Sequence, residues 1–172
     1  MAHASTERAI TRDARRTPAQ WYCLLAGAAL LLAGIFGFIS DSTFDTGDGI
    51  QGDGFLGFEV NGIHNLIHVA SGLVLLAASP RRASARAVAL AFGLVYGVVA
   101  IVGLIDGEDV LGLIPINAAD NVLHIALAAL GIITGLISRD DERGRAGTVL
   151  EHGTDSRLER DVAPARGERT RR

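Results

Sequence analysis

The chain has 172 residues, 49% of them hydrophobic and 5% aromatic, with 21 glycines and a formal net charge of −3. That length suits one domain, and nothing beyond an arginine-rich C-terminal tail supports nucleic-acid binding. The single cysteine, Cys23, excludes an internal disulfide and a cysteine metal cluster.

Residues 1–17 form a short polar segment carrying Arg8, Arg12, Arg15 and Arg16. An apolar run from Trp21 to Ser40 follows. It is too long for a signal-peptide core, and no clear small-x-small cleavage site precedes Asp41, so it reads as a retained membrane helix. The segment from Asp41 to Glu59 is glycine-rich and acidic, with no arginine. Its Asp/Gly alternation does not have the spacing of an EF-hand. It reads as a flexible turn, with Phe55, Leu56 and Phe58 dipping into a membrane interface.

A second apolar segment runs from about Val60 to Ser79, and Arg81, Arg82 and Arg86 separate it from a third, Ala87 to Ile105. Another acidic loop, Asp106 to Pro115, leads to a fourth, from about Asn117 to Ile137. All four are near the ~20 residues that cross a ~30 Å hydrocarbon core. Ser138 to Arg172 is rich in charges of both signs and poor in apolar residues, so a disordered tail is expected.

Arginines lie before the first segment, between the second and third, and after the fourth, whereas the other two connections carry only acidic residues. Arginine-bearing loops stay cytoplasmic. The pattern therefore predicts a multi-pass protein of the cell membrane with both termini cytoplasmic and both acidic loops outside.

The stretch Asn61-Gly-Ile-His64-Asn65-Leu-Ile-His68 recurs 56 positions later as Asn117-Ala-Ala-Asp120-Asn121-Val-Leu-His124. Steps of three and four place Asn61, His64 and His68 on one helix face, and Asn117, Asp120 and His124 likewise. Asn65 and Asn121 lie beside those faces. Asn61 and Asn117 suit the N-cap position, where the side-chain oxygen accepts free backbone N–H groups. Two helices separate the copies, so the halves are parallel repeats related by an axis along the membrane normal. The fold class is all-α: a four-helix transmembrane bundle of two helical hairpins, with His64, His68, Asp120 and His124 converging between the repeats. Gly93 and Gly97 form a GxxxG in the third segment, which leaves a homo-oligomer open.

Gly57 to His68, Gly93-Leu-Val-Tyr96-Gly97 and Pro115 to His124 together resemble the bacterial membrane family catalogued as domain of unknown function 4383. The resemblance covers roughly Trp21 to Ile137. It implies a four-helix integral membrane protein and brings no activity, cofactor or ligand.

Three functions compete. Intramembrane histidine, asparagine and aspartate act as hydrogen-bond glue between helices. That primarily structural role is the first reading, with Asn61, Asn65, Asn117, Asn121 and Tyr96 as its polar cluster. The second is a metal site of His64, His68, Asp120 and His124, or a haem held by His68 and His124. The third is a proton or small-solute path, for which Ser71, Thr134 and Tyr96 are the only continuation. No nucleophile–base pair, phosphate loop or dinucleotide fingerprint is present, so no enzyme is expected.

Overall fold

The computed structural model describes residues 15–138. Residues 1–14 of the N-terminal polar tail, and the expected disordered segment 138–172 beyond its first residue, lie outside the described residues. The chain runs twice through the same order of helix, β-hairpin, helix. The elements are α1 (Pro18–Ser40), β1 (Asp53–Phe55), β2 (Phe58–Val60), α2 (Gly62–Ala78), α3 (Arg82–Asp106), β3 (Asp109–Val110), β4 (Ile114–Pro115) and α4 (Ala118–Ile137). We call the end that carries the β-hairpins the hairpin end, and the opposite one the tail end.

Helix α1 starts earlier than its apolar run. Thr17 caps it, Pro18 suits its first turn, and Gln20 closes a capping box. The Gln20 side-chain amide also donates to the carbonyls of Ser79 and Pro80 at 3.1 and 3.0 Å. It thereby ties α1 to the turn between α2 and α3. Helix α3 likewise begins at Arg82 rather than Ala87, and ends where Gly107 turns left-handed at φ 91°. Helix α2 has 17 residues, roughly 25 Å at ~1.5 Å per residue, and is shorter than expected. The other three helices are long and apolar enough to cross a membrane.

The acidic loops are not plain turns. Each folds into a small antiparallel hairpin, β1 with β2 and β3 with β4. Each hairpin turns on a leucine with positive φ followed by a glycine: Leu56 (51°) with Gly57, and Leu111 (60°) with Gly112. Asp41 anchors the first hairpin. Its Oδ1 accepts from the Thr43 N–H and hydroxyl, both at 2.7 Å, and its Oδ2 from the Asp53 N–H at 3.3 Å.

Burial pushes the Asp41 carboxyl up, but these donors outweigh it and hold it below the ordinary carboxylate value. A carboxyl lowered in this way stabilises the fold above its ordinary pKa, and the contribution disappears as pH falls through the folded value. Asp41→Asn is therefore expected to lower the melting temperature at neutral pH and to flatten its fall in acid. Melting curves in detergent across that range check it.

Within each half the two helices pack closely, α1 on α2 and α3 on α4. Between the halves α1 meets α3 and α4, and α2 meets α3. At the tail end small side chains share the interior with Gln20, Tyr22 and Leu75. Ala19, Cys23, Ala85 and Ala89 are fully buried there, and the Cys23 thiol donates to the Ala85 carbonyl. Large apolar side chains such as Ile39, Leu94, Ile105 and Leu136 are exposed along the outside. An apolar exterior around buried polar groups matches lipid rather than water as the surrounding medium.

The GxxxG of α3 faces inward. A Cβ on Gly93 would lie 2.8 Å from the Ala128 carbonyl and from the Ile132 nitrogen. That glycine packs on α4 within the chain.

Candidate functional site: a three-histidine cluster at the hairpin end

The first turns of α2 and α4 bring the repeated motifs together, and the two motifs interlock through their caps. Asn61 caps α2 by accepting from the His64 N–H at 2.8 Å, and its amide donates to the Leu113 carbonyl of the second hairpin at 3.1 Å. Asn117 caps α4 by accepting from Ala119 and Asp120, and its amide donates to the Gly57 carbonyl of the first hairpin at 3.0 Å. Each cap therefore grips the opposite repeat.

Asn65 and Asn121 hold the helix that precedes each within its own repeat. Asn65 donates to the Asp41 carbonyl at 2.8 Å, and Asn121 to the Gly103 carbonyl at 3.3 Å. Gly37 and Gly103 provide the space, since a Cβ at either would run into the asparagine side chain. The remaining oxygens, Asn65 Oδ1 and Asn121 Oδ1, are buried without a partner among the described residues.

Asp120 is taken up by the backbone. Its Oδ2 accepts from the Asn117 N–H at 3.0 Å, completing a capping box, and from the Glu59 N–H at 2.9 Å. The strand residue Glu59 thus meets both motifs, because its carbonyl receives Nδ1 of His64 at 2.9 Å. The Pro115 carbonyl adds a second backbone contact to the same imidazole. Sequence reasoning missed this role of Glu59. The only available signal was its position just before the cap residue of α2.

His64, His68 and His124 are each more than nine-tenths buried. One ring nitrogen from each lies within 4.8 Å of the others. The Nε2 atoms of His64 and His68 are 3.1 Å apart. The ring centroids of His64 lie 4.3 Å from His68 and 6.1 Å from His124. Nδ1 of His68 and Nδ1 of His124 have no hydrogen-bond partner among the described residues.

A carbonyl only accepts, so Nδ1 of His64 carries the proton and its Nε2 presents a lone pair to the cluster. Tyr96 from α3 sits edge-on to His124 at 5.3 Å, with Phe92 stacked behind it at 4.4 Å, and its hydroxyl bonds to Ser71. The structure therefore brings together all four residues of the expected ligand set but divides their roles. Three imidazoles converge, and the carboxylate braces the backbone around them.

A helical bundle with an apolar exterior and a buried imidazole cluster at one end defines a class of small helical proteins suited to a bilayer. The family model described as "Domain of unknown function (DUF4383)" matches residues 20–137, and the chain belongs to that family. No curated protein and no solved structure matches it.

Proposed function

We propose that this is a multi-pass membrane protein that holds a transition-metal ion between His64, His68 and His124. The observation that carries the reading is the convergence of three buried imidazoles, one of them fixed by the Glu59 carbonyl with its lone pair facing the other two. Metal-ligating histidines characteristically donate their second N–H to a carbonyl or carboxylate in this way. Bond lengths of ~2.0–2.1 Å to a shared ion require nitrogens a little over 3 Å apart, and His64 and His68 already stand at 3.1 Å.

The competing view, in which the whole polar cluster is hydrogen-bond glue, fits the caps, Asp120 and the hydrogen-bonded His64–His68 pair, but does not explain why His124 joins that pair. Nδ1 of His68 and of His124 binds nothing, and a buried acceptor without a partner costs about 1–3 kcal/mol. A bare ion is favoured over a haem, since three imidazoles rather than two converge. A proton or solute path would have to continue past Tyr22 and Leu75 through the packed interior at the tail end.

The arginine pattern supports a cytoplasmic tail end, which would put the site in the outer half of the bilayer, below acidic hairpins that attract cations. The protein serves as a metal holder in the membrane rather than an enzyme.

The test is metal content. Chain purified in detergent, incubated with metal salts and desalted is expected to keep about one equivalent. His64→Ala, His68→Ala and His124→Ala should each lose it while remaining helical by circular dichroism. Wild-type protein that is folded yet takes up no zinc, copper or iron would defeat the proposal.

A further inference from the structure

The described charges are sorted by end. Every described aspartate and glutamate lies within residues 41–59 or 106–120, at the hairpin end. Every described arginine lies at the tail end: Arg15, Arg16, Arg81, Arg82 and Arg86.

Four of these arginines meet at one corner. The Gln20 amide holds the start of α1 against the carbonyls of Ser79 and Pro80. The Arg82 guanidinium donates to the Arg15 carbonyl at 3.3 Å, across 67 positions of sequence. Arg15 and Arg16 are thereby brought beside Arg81 and Arg82. Gathering like charges is unfavourable, and no carboxylate among the described residues lies at this end to offset it. Helices α1 and α3 both begin here, so the partial positive charges of their first turns add to the same corner. Arg81 stands at the N-cap of α3 and makes no side-chain cap bond. Arg86 has a different task, since its Nε donates to the Gly135 carbonyl and ties α3 to α4.

We propose that Arg15, Arg16, Arg81 and Arg82, at the junction of α1 with the turn between α2 and α3, bind the headgroup of an anionic phospholipid. The proposal rests on the bilayer setting of the proposed function and is independent of the metal ion. Guanidinium groups bind phosphate oxygens through forked N–H pairs, and the anionic lipids of the cytoplasmic leaflet attract basic residues beside membrane helices.

A lipid fits better than a soluble anion because the surface continues into apolar side chains. The Arg16 guanidinium lies 5.6 Å from the centre of the Trp21 ring, and Trp21 is half exposed. Tryptophan is enriched at the depth of the headgroups. Leu25, one turn further along α1, and Leu73 and Val74 near the end of α2 are exposed as well. A phosphate among the guanidinium groups leaves its acyl chains against such side chains.

The experiment follows the melting temperature of the full chain in neutral detergent. Phosphatidylglycerol, phosphatidylcholine or inorganic phosphate is added at equal phosphate concentration. Phosphatidylglycerol is expected to act at a concentration at least about tenfold lower than phosphatidylcholine, and that preference should shrink as salt is raised. Inorganic phosphate should have no effect. Arg15→Gln, Arg16→Gln and Arg81→Gln should each weaken the phosphatidylglycerol response about fivefold, while the chain stays helical by circular dichroism and keeps its metal. The lysine variants at the same positions retain the charge and should retain most of the preference.

Equal responses to the two lipids, or glutamine variants that respond like the wild type, would overturn the proposal. Inorganic phosphate acting as strongly as phosphatidylglycerol would overturn it too. A chain indifferent to phosphatidylglycerol, whose glutamine variants melt lower without any lipid, would assign the corner to the acidic residues of the chain's own C-terminal segment instead. A chain recovered from cells in the soluble fraction would defeat the bilayer setting itself, so the two failures are distinguishable.

Discussion

Asp120→Ala is expected to destabilise the protein by about 2–4 kcal/mol, the largest effect of any single polar substitution in the cluster. One oxygen of Asp120 accepts from both Asn117 and Glu59, so alanine leaves two backbone donors without a partner. Each such loss costs about 1–3 kcal/mol, and bonds to a charged acceptor lie toward the upper end. The consequence extends beyond α4. The Glu59 carbonyl orients His64, so releasing the Glu59 N–H from Asp120 loosens the peptide segment that fixes the tautomer of the first ligand. Metal retention should therefore fall together with the melting temperature. Asp120→Asn keeps an oxygen acceptor and loses the charge, so it should recover about half of the stability. Thermal unfolding in detergent, with metal content measured on the same samples, checks both. If Asp120→Ala melts with the wild type, the braced connection between hairpin and helix has no energetic weight.

The dependence on Glu59 also explains which parts of the molecule were legible in sequence. The helices were legible because each is an apolar run of roughly membrane length. Their starts were less so. Arg82 and Arg86 lie inside α3, because alanine and arginine are good helix formers. The apolar run marks where lipid would begin, not where the helix begins. Asn61 and Asn117 were legible as caps, since capping is a local matter of side chain and first turn.

The hairpins were not legible. Strands of two or three residues are too short to show alternation. A leucine in the left-handed region is also an unusual choice where Asn-Gly or Asp-Gly would be the ordinary turn signal. Hairpin placement decides where the Glu59 N–H and carbonyl point, so the separation of Asp120 from the imidazoles was hidden with it. The three-and-four spacing showed which residues share a face. It carried no information about which side chains the backbone would claim. Tyr96 illustrates the same gap: it was visible as a polar residue in an apolar helix, but its edge-on contact with His124 depends on how α3 and α4 pack.

The two glycines of the GxxxG are expected to behave in opposite ways. A Cβ on Gly93 would stand 2.8 Å from the Ala128 carbonyl oxygen, the Ile132 nitrogen and the Ile132 Cγ1 atom. Two of these are backbone atoms of α4, so relief requires the helices to move apart. Gly93→Ala should therefore destabilise by about 1–3 kcal/mol, even though alanine has the better helix propensity. A Cβ on Gly97 would meet only the Ala128 Cβ, at an ordinary 3.8 Å. Gly97→Ala should then be neutral or stabilising by up to about 1 kcal/mol, the helix-propensity difference. A motif that paired two chains through both glycines would make the substitutions comparably harmful and would change the oligomeric state. Melting temperature and size-exclusion elution of the two variants, measured side by side, separate packing within the chain from association between chains. Equal losses at Gly93 and Gly97 would mean that α3 presents this face to another molecule.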